Sequence, residues 1–550
     1  MINFKIKKNK NRRIFIGVAW PYVNGELHIG HVAGYLLPAD IVARYFRLRG
    51  FKVLMISGSD CFGTPITVEA EKLKISPKEL VKIYHPRNKK IFKDLGISFD
   101  LYWKTDNYFH KKIVKDFILK FYKKGLLFVK KEFQYFDEKE KKFLPDRYIE
   151  GICPYCNFNG ARADQCDNCG KLLNQNLKNP INKLTKEKVF LKETTSLFIN
   201  WPKIQQKIEK YFKEKSKNWR KWIVKETAAW LKKGLEPRAV SRDIKWGVEF
   251  PKELQKIWPE LKEKRIYVWF DAVIGYFSAS LYYLKKKNIN IKEFWFNKNA
   301  SHYYFMGKDN LIFHTIFWPG QLLTYDEKIN LPDYPLINHY LNLEGEKFSK
   351  SRGIMIEIKN FIDKFGSDAL RFYIWKIIPE NKDSSFSWND FYRTHNDILV
   401  GKVGNFIHRL FVLGQKSKIK KPSKKIVEIS LKYFKKIGSL IEEGKFLNYY
   451  KNFLNFVLFA NKFIDQKKPW EYKNTEKFNL ICSDLYLIAI TILILLYPVC
   501  PFGVKKYLKE IKIKKIKWPN NKKELFQIFK QIDNYKKPEI VFKKIKEEEI

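Results

Sequence analysis

Acid is what this sequence lacks most: 58 Asp and Glu stand against 106 Lys and Arg in 550 residues, a formal net charge of +48. A field of that sign excludes an acidic solvating chain and attracts polyanions, nucleic acid first among them. Much of the Lys sits beside Asn, Ile and Phe throughout, so a proteome-wide compositional bias is the competing source. No apolar run reaches the roughly 20 residues needed to span a bilayer. The longest, Leu485 to Tyr497, stops at Pro498 and reads as a buried helix, so no membrane partner is expected. No apolar stretch precedes Ile14, so no secretory signal is expected either. Seven cysteines are too few and too uneven for a disulfide framework. Four cluster between Cys153 and Cys169, while Cys61, Cys482 and Cys500 are scattered, a pattern of a metal site in a reducing cytoplasm. What is present is apolar enough for packed cores, with 45% hydrophobic and 16% aromatic residues. The length exceeds one ordinary core and implies about two to four domains.

Ile14 to Ala19 reads as a strand, Pro21 to Gly25 as a loop, Ile29 to Phe46 as a helix with a kink or new turn at Pro38, and Lys52 to Ser57 as a second strand. Strand, helix, strand is the unit of a parallel sheet. The pattern returns downstream: Ile266 to Phe270, His302 to Met306 and Leu336 to Leu341 read as strands, and Val273 to Leu284 and Leu311 to Leu323 as helices. From about Trp388 helical periodicity takes over, as in Val427, Leu431 and Phe434, ending in a basic tail, Lys505 to Lys517. The expected division is a first half-sheet (1–115), an insertion (116–245), a second half-sheet (246–325), a linking region (326–388) and an all-α end (389–550).

His28-Ile29-Gly30-His31 follows the first strand directly, where open parallel sheets bind ligands. The two histidines share a face of the helix's first turn. The helix start suits phosphate, and Gly30 leaves room for a base or ribose. Histidines that only cap or pack are the bland alternative. After the last strand of the second half comes Lys347-Phe348-Ser349-Lys350-Ser351, flanked by Gly345 and Gly353. Two lysines on such a loop can meet a developing pyrophosphate charge. In this order the two strings resemble the HIGH and KMSKS signatures of the class I aminoacyl-tRNA synthetases.

Within that family the chain is similar to the methionyl enzymes. Ser59 to Ile66, Tyr267 to Tyr276, Gly307 to His314 and Ala239 to Asp243 carry the likeness. The resemblance implies a Rossmann-type α/β catalytic domain split by a zinc-knuckle insertion, followed by an all-α anticodon-binding domain. It implies a methionine site of Ala19, Trp20, Tyr22, Asp60, Arg242, Trp269, Ala272, Tyr276 and His314, with Asp60 on the ammonium group and Arg242 acting through Asp60. Aromatic rings suit a thioether. Core packing is the alternative for Trp269 and Tyr276, and a structural ion pair for Arg242. The family usually has His where Phe62 stands, which leaves that residue's polar task unfilled. The ATP site is expected at His28, Gly30, His31, Gly307, Asp309, Lys347, Ser349 and Lys350, with His28, His31, Lys347 and Lys350 catalytic and Mg²⁺ accompanying ATP.

Cys153-Pro-Tyr-Cys156 and Cys166-Asp-Asn-Cys169 are two thiolate pairs spaced for one closed, structural zinc. The insertion is too short for a separate editing domain. On the helical end, Asn405 and Arg409 lie one turn apart and Trp470 follows a helix end. The resemblance assigns them to the anticodon, an ordinary helix surface being the alternative. The implied activity is ATP-dependent formation of methionyl-adenylate from L-methionine and transfer to the 3′ end of tRNA(Met), for initiation and elongation, by a cytoplasmic monomer. Rivals are a catalytically silent RNA-binding paralogue, which would have shed the signature residues, and the cysteinyl enzyme, whose zinc sits in the amino acid pocket.

Overall fold

A computed structural model describes residues 12–145, 148–163, 166, 168–169, 173, 177–347, 355–532 and 540–550, with backbone alone for 346 and 347. Five parallel strands form the centre: β1 (Arg13–Val18), β2 (Lys52–Ser59), β3 (Leu101–Lys104), β4 (Ala300–Gly307) and β5 (Tyr334–Asn338). Their order is β5-β4-β1-β2-β3. β1 is apolar along almost its whole length because helices cover both of its faces, and it pairs with β4 from Arg13↔Ala300 to Val18↔Phe305. The chain runs outward one way from β1 through β2 and β3, then returns to build β4 and β5 on the other side. The carboxyl ends of β1 and β4 therefore flank a topological switch point, where such sheets hold ligands.

The helix after β1 is Ile29–His31, a π-helical stretch Val32–Leu36, then Leu37–Leu48. Pro38 supplies no N–H and leaves the Gly34 carbonyl without its helical donor. Asn338 Nδ2, from the end of β5, donates to that oxygen at 2.9 Å and to the Ala33 oxygen at 3.3 Å. The expected kink is thus a wound-out turn capped from another strand.

The insertion opens with two β-sheets, Leu127–Asp137 pairing antiparallel with Phe190–Ile199 and a small three-stranded sheet surrounding Ile149–Ile152, and continues in the helices Gln205–Lys215 and Lys221–Lys233. That small sheet has its own apolar cluster, including Tyr148, Ile149, Ala161 and Leu177. It rests on the helix Thr64–Lys72 through Tyr148 Oη, which donates to Thr67 Oγ1 at 2.9 Å. After the short strand Ser384–Phe386 the chain is helical. Glu476–Leu496 is long and apolar enough to cross a membrane by composition, yet it is buried among the other helices of this region.

The helical end is locked to the sheet by Arg371, whose side chain is 0% exposed. Its guanidinium donates to Asp40 at 2.6 Å and to the carbonyls of Leu95, Pro498 and Val499. Asp40 also accepts from Arg44 and Ser98. Although burial opposes ionisation, the two arginines hold the Asp40 carboxyl well below the usual carboxylate range.

Three expectations need correction. Ile266 to Phe270 is not a strand: only Arg265–Ile266 pairs, and Val268 already opens the helix Val268–Lys286. An apolar run that short has no period to distinguish the two. The strand placed at Leu336 to Leu341 ends at Asn338, and Leu341–Leu343 belongs to a separate small sheet. Lys505 to Lys517 is no tail: Tyr507, Leu508, Ile511 and Ile513 are buried, so the lysines are the solvated face of packed segments.

Candidate functional site at the sheet switch point

His28 is the N-cap of its helix, and Nδ1 accepts from the Gly30 amide at 3.2 Å. His31 reaches back to the His28 amide at 3.2 Å, so the pair forms a reciprocal capping box with ring centroids 4.1 Å apart. Desolvation, then the neighbouring His31, push the His28 imidazole down to about 2. Desolvation pushes His31 down to about 4 against its backbone bond to His28. Both rings are neutral at pH 7 and serve as hydrogen-bond donors without charge. The capping role and the ligand role are therefore compatible: the cap fixes the rings at the dipole's positive end.

Opposite them, β4 ends at Gly307, followed by Lys308 and Asp309. The Asp309 carboxylate accepts from Tyr340 Oη, and Lys308 Nζ pairs with Asp383 at 2.9 Å while lying 4.0 Å from the Tyr340 ring centre. Ser349 and Lys350 lie outside the described residues, and Lys347 is described only as backbone of the strand Glu346–Lys347. Beyond them, Ile356 accepts from the Ile29 amide at 3.0 Å, and Glu357 bridges to His28. The chain on the far side of the lysine pentad is thus tied to the histidine loop.

Between β1 and β2 the aromatic pocket takes shape. The Trp20 indole occupies a slot that only glycine permits on two sides: a Cβ on Gly58 would come within 2.4 Å of it and one on Gly275 within 2.8 Å. Its ring meets Tyr276 edge-on at 6.4 Å. The Tyr276 hydroxyl and His314 Nε2 are 2.9 Å apart, and His314 Nδ1 faces the Asn310 carbonyl at 2.9 Å. That second bond makes Nδ1 the protonated nitrogen, so Nε2 accepts from the tyrosine. Burial pushes His314 down to about 4, which keeps it neutral. Tyr22 bridges to Asp60, a residue only 4% exposed whose carboxylate accepts from the Phe62 amide at 3.2 Å. Ala19 lies at the mouth of β1, its carbonyl accepting from Ser57 Oγ at 3.1 Å. Phe62 packs on Trp246 at 5.4 Å with Lys111 Nζ 5.3 Å from its ring centre, a cation-carrying aromatic pair.

Two of the expected residues line an adjoining cavity. Trp269 stacks on Phe313 at 4.1 Å and lines a neighbouring cavity of about 310 Å³ with Trp201, Arg238, Tyr267 and Phe317. Arg242 lines the same cavity: it lies over the Tyr267 ring at 3.8 Å and donates to the Ser241 carbonyl at 2.9 Å. It makes no ion pair with Asp60, a correction to the expectation, because stacking on Tyr267 holds the guanidinium away. Ala272 is half-buried on the same helix, one residue past Asp271.

In the insertion, the four thiol sulfurs of Cys153, Cys156, Cys166 and Cys169 all lie within 4.8 Å of one another and could hold a metal ion. Cys153 and Cys169 are 3.8 Å apart, and Cys156 and Cys166 3.7 Å, sulfur to sulfur. Metal–sulfur bonds of about 2.3 Å in a tetrahedron give edges of about 3.8 Å, so the thiols fit such a centre.

The family described as "tRNA synthetases class I (M)" matches residues 14–411, and "Anticodon binding domain of methionyl tRNA ligase" matches residues 452–550. The methionine–tRNA ligase of Thermomicrobium roseum is 38% identical over 89% of this chain and 85% of its own length. That of Picrophilus torridus is 37% identical over 97% of this chain and 78% of its own. The chain belongs to the methionine–tRNA ligase family. The fold agrees: a Mycobacterium tuberculosis methionyl-tRNA synthetase bound by methionyl-adenylate superposes with a TM-score of 0.77 at 17% identity, covering 96% of this chain and 100% of that one.

On the helical end of this family member, Arg409 donates to Asp465 at 3.0 Å and lies 6.0 Å from the Trp470 ring centre, with Trp470 39% exposed. Asn405 is exposed one turn earlier. Sequence reasoning missed His110 and Asp271, both buried beside the pocket. Asp271 stood inside the quoted Tyr267 to Tyr276 string, and a carboxylate in so apolar a run was the available signal.

Proposed function

We propose that the switch-point site is where this chain activates L-methionine with ATP before charging tRNA(Met). The observation that carries this is the pocket closed by Trp20, Tyr276 and His314 beside a buried Asp60, directly next to the His28–His31 cap. Methionine's carboxylate attacks the α-phosphate of ATP. The products are methionyl-adenylate and pyrophosphate. The 3′-terminal ribose hydroxyl of tRNA then attacks the acyl carbon and releases AMP.

No side-chain nucleophile is needed, so the protein's work is positioning and charge stabilisation. The neutral imidazoles of His28 and His31 donate to phosphate oxygens without the cost of burying cations. Gly30 and Gly307 admit the nucleotide, and Asp309 binds its ribose. Lys347, Ser349 and Lys350 meet the departing pyrophosphate, with Mg²⁺ brought by ATP. Asp60 takes the ammonium group, and Ala19, Trp20, Tyr22, Ala272, Tyr276 and His314 surround the side chain. Trp269 and Arg242 border the adjoining cavity and act on methionine from that side. Cys153, Cys156, Cys166 and Cys169 hold one structural zinc, which supplies rigidity and has no open coordination position. Asn405, Arg409 and Trp470 read the anticodon, Trp470 by stacking. The protein acts as a cytoplasmic monomer. Pyrophosphate exchange into ATP, run with a panel of amino acids, tests the reading: exchange driven by methionine supports it, and exchange driven by another amino acid overturns it.

A further inference from the structure

Asp271 lies at the start of α2 (Val268–Lys286) and is 0% exposed. Among the described residues neither of its carboxylate oxygens has a hydrogen-bond partner. Across the interface with α1 (Tyr108–Lys123), His110 Nε2 lies 3.5 Å from Asp271 Oδ2 and is likewise unpartnered. The other nitrogen, Nδ1, lies 2.8 Å from Ser278 Oγ, which itself donates to the Gly275 carbonyl at 3.3 Å. A serine hydroxyl that gives its proton to Gly275 must accept from Nδ1–H. Nε2 then carries a lone pair that points at a carboxylate. That contact is repulsive unless a proton lies between the two, on Asp271 or on Nε2, and burial, which pushes His110 down to about 3 and Asp271 up, favours the neutral pair with the proton on Asp271.

The surroundings lead to the same requirement. From the β2 end Asp60 and Cys61 face this group, the thiol held neutral by burial, which pushes it up to about 12. Tyr276, on α2 itself, is held neutral by burial as well. From α1 comes Lys111, already paired with Asp106 at 2.8 Å. Burial, then Asp271, raise the Asp60 carboxyl, and burial raises Asp271. Burial outweighs the pull of Lys111 on Asp271, and two carboxyls in so dry a site share a proton.

We propose that Asp271 and His110 store one exchangeable proton behind Asp60 and release it when the substrate's ammonium group docks there. The charge balances: a neutral Asp271 beside an ionised Asp60 becomes two carboxylates and one ammonium, with one proton passed to solvent. Asp271 and His110 are positioning residues that set the charge of the group holding methionine. The inference rests on the methionine reading of the pocket. Its consequence is an affinity for methionine that falls up to tenfold per pH unit below the apparent pKa of the pair.

The test uses the full chain. Infrared difference spectra of the free protein are expected to show the carbonyl stretch of a buried protonated carboxyl, erased by methionine and missing from Asp271→Asn. Calorimetry in buffers of different ionisation enthalpy is expected to count about one proton released per methionine bound by the wild type and none by Asp271→Asn. In exchange kinetics the variant is expected to flatten the acid limb of the methionine KM profile. His110→Asn keeps the carboxyl band but shifts it, since its acceptor changes. A free wild-type protein without the band, a band that survives in protein shown by calorimetry to have bound methionine, or an equal proton count in Asp271→Asn overturns the proposal. The band is read in the free protein, so a wild type that shows it yet ignores methionine overturns the pocket reading alone.

Discussion

Around the parallel sheet, polar groups are held by burial: Asp60, Asp271, His314 and Arg371 are packed among side chains of the main core. The knuckle of the insertion has a small separate cluster of apolar residues and four thiols, two of them away from full burial. The difference shows how each region pays the entropy of order. Desolvation fixes the protonation states of the sheet site, whereas on the proposed zinc reading a cluster that small would lean on ligation.

Removing the metal should break the comparison most sharply. Structural zinc contributes on the order of 10–16 kcal/mol in small zinc peptides at neutral pH. Chelation or Cys153→Ser should therefore unfold the segment around Ile149–Ile152, seen as loss of hydrogen-exchange protection there, with the strands β1 and β4 still protected. Equal loss in both regions would contradict separate stabilisation. Acid should act on the other side. His28, His31, His85, His110, His302 and His314 are held at about 4 or below, each mainly by desolvation. An unfolded histidine titrates near 6.5, so the unfolded chain binds more protons below that pH. Stability is full above pH 6.5 and falls as pH drops toward 4, in denaturant melts at fixed salt. The raised carboxyls of Asp60, Asp100, Asp271, Asp368, Glu380, Glu442 and Asp484 work the opposite way and blunt the fall.

Smaller effects sharpen the burial side. Arg371→Ala leaves Asp40 buried without one of its arginines and should cost about 3–5 kcal/mol in urea unfolding. His31→Ala should lower exchange about 10²–10³-fold, the usual loss for one preorganised donor, with the melting curve shifted little by comparison. Tyr276→Phe removes a hydroxyl that His314 accepts from and should raise the methionine KM about tenfold, at a cost near 1 kcal/mol.

The sequence made the chemistry-bearing strings legible, because His28, His31, the paired cysteines and the lysine pentad are read by residue type and spacing. The half-sheets and the helical end were legible from periodicity. The start of α2 was not, since Ile266 to Phe270 is apolar on every face and lacks a period. Asn338 capping the carbonyls freed by Pro38 was hidden because the partners are more than 300 positions apart. The stacking of Arg242 on Tyr267 was equally hidden, because no spacing or period marks a cation–ring contact between a short strand and a following helix cap. Asp271 and His110 meet only once α1 packs on α2.

The central claim is that burial at the switch point builds a methionine-activating site. Methionine-dependent exchange of pyrophosphate into ATP measures it most directly. The account predicts exchange with methionine that is strong in the wild type and nearly abolished in His31→Ala. Exchange that needs a different amino acid, or that is unchanged in His31→Ala, would contradict it.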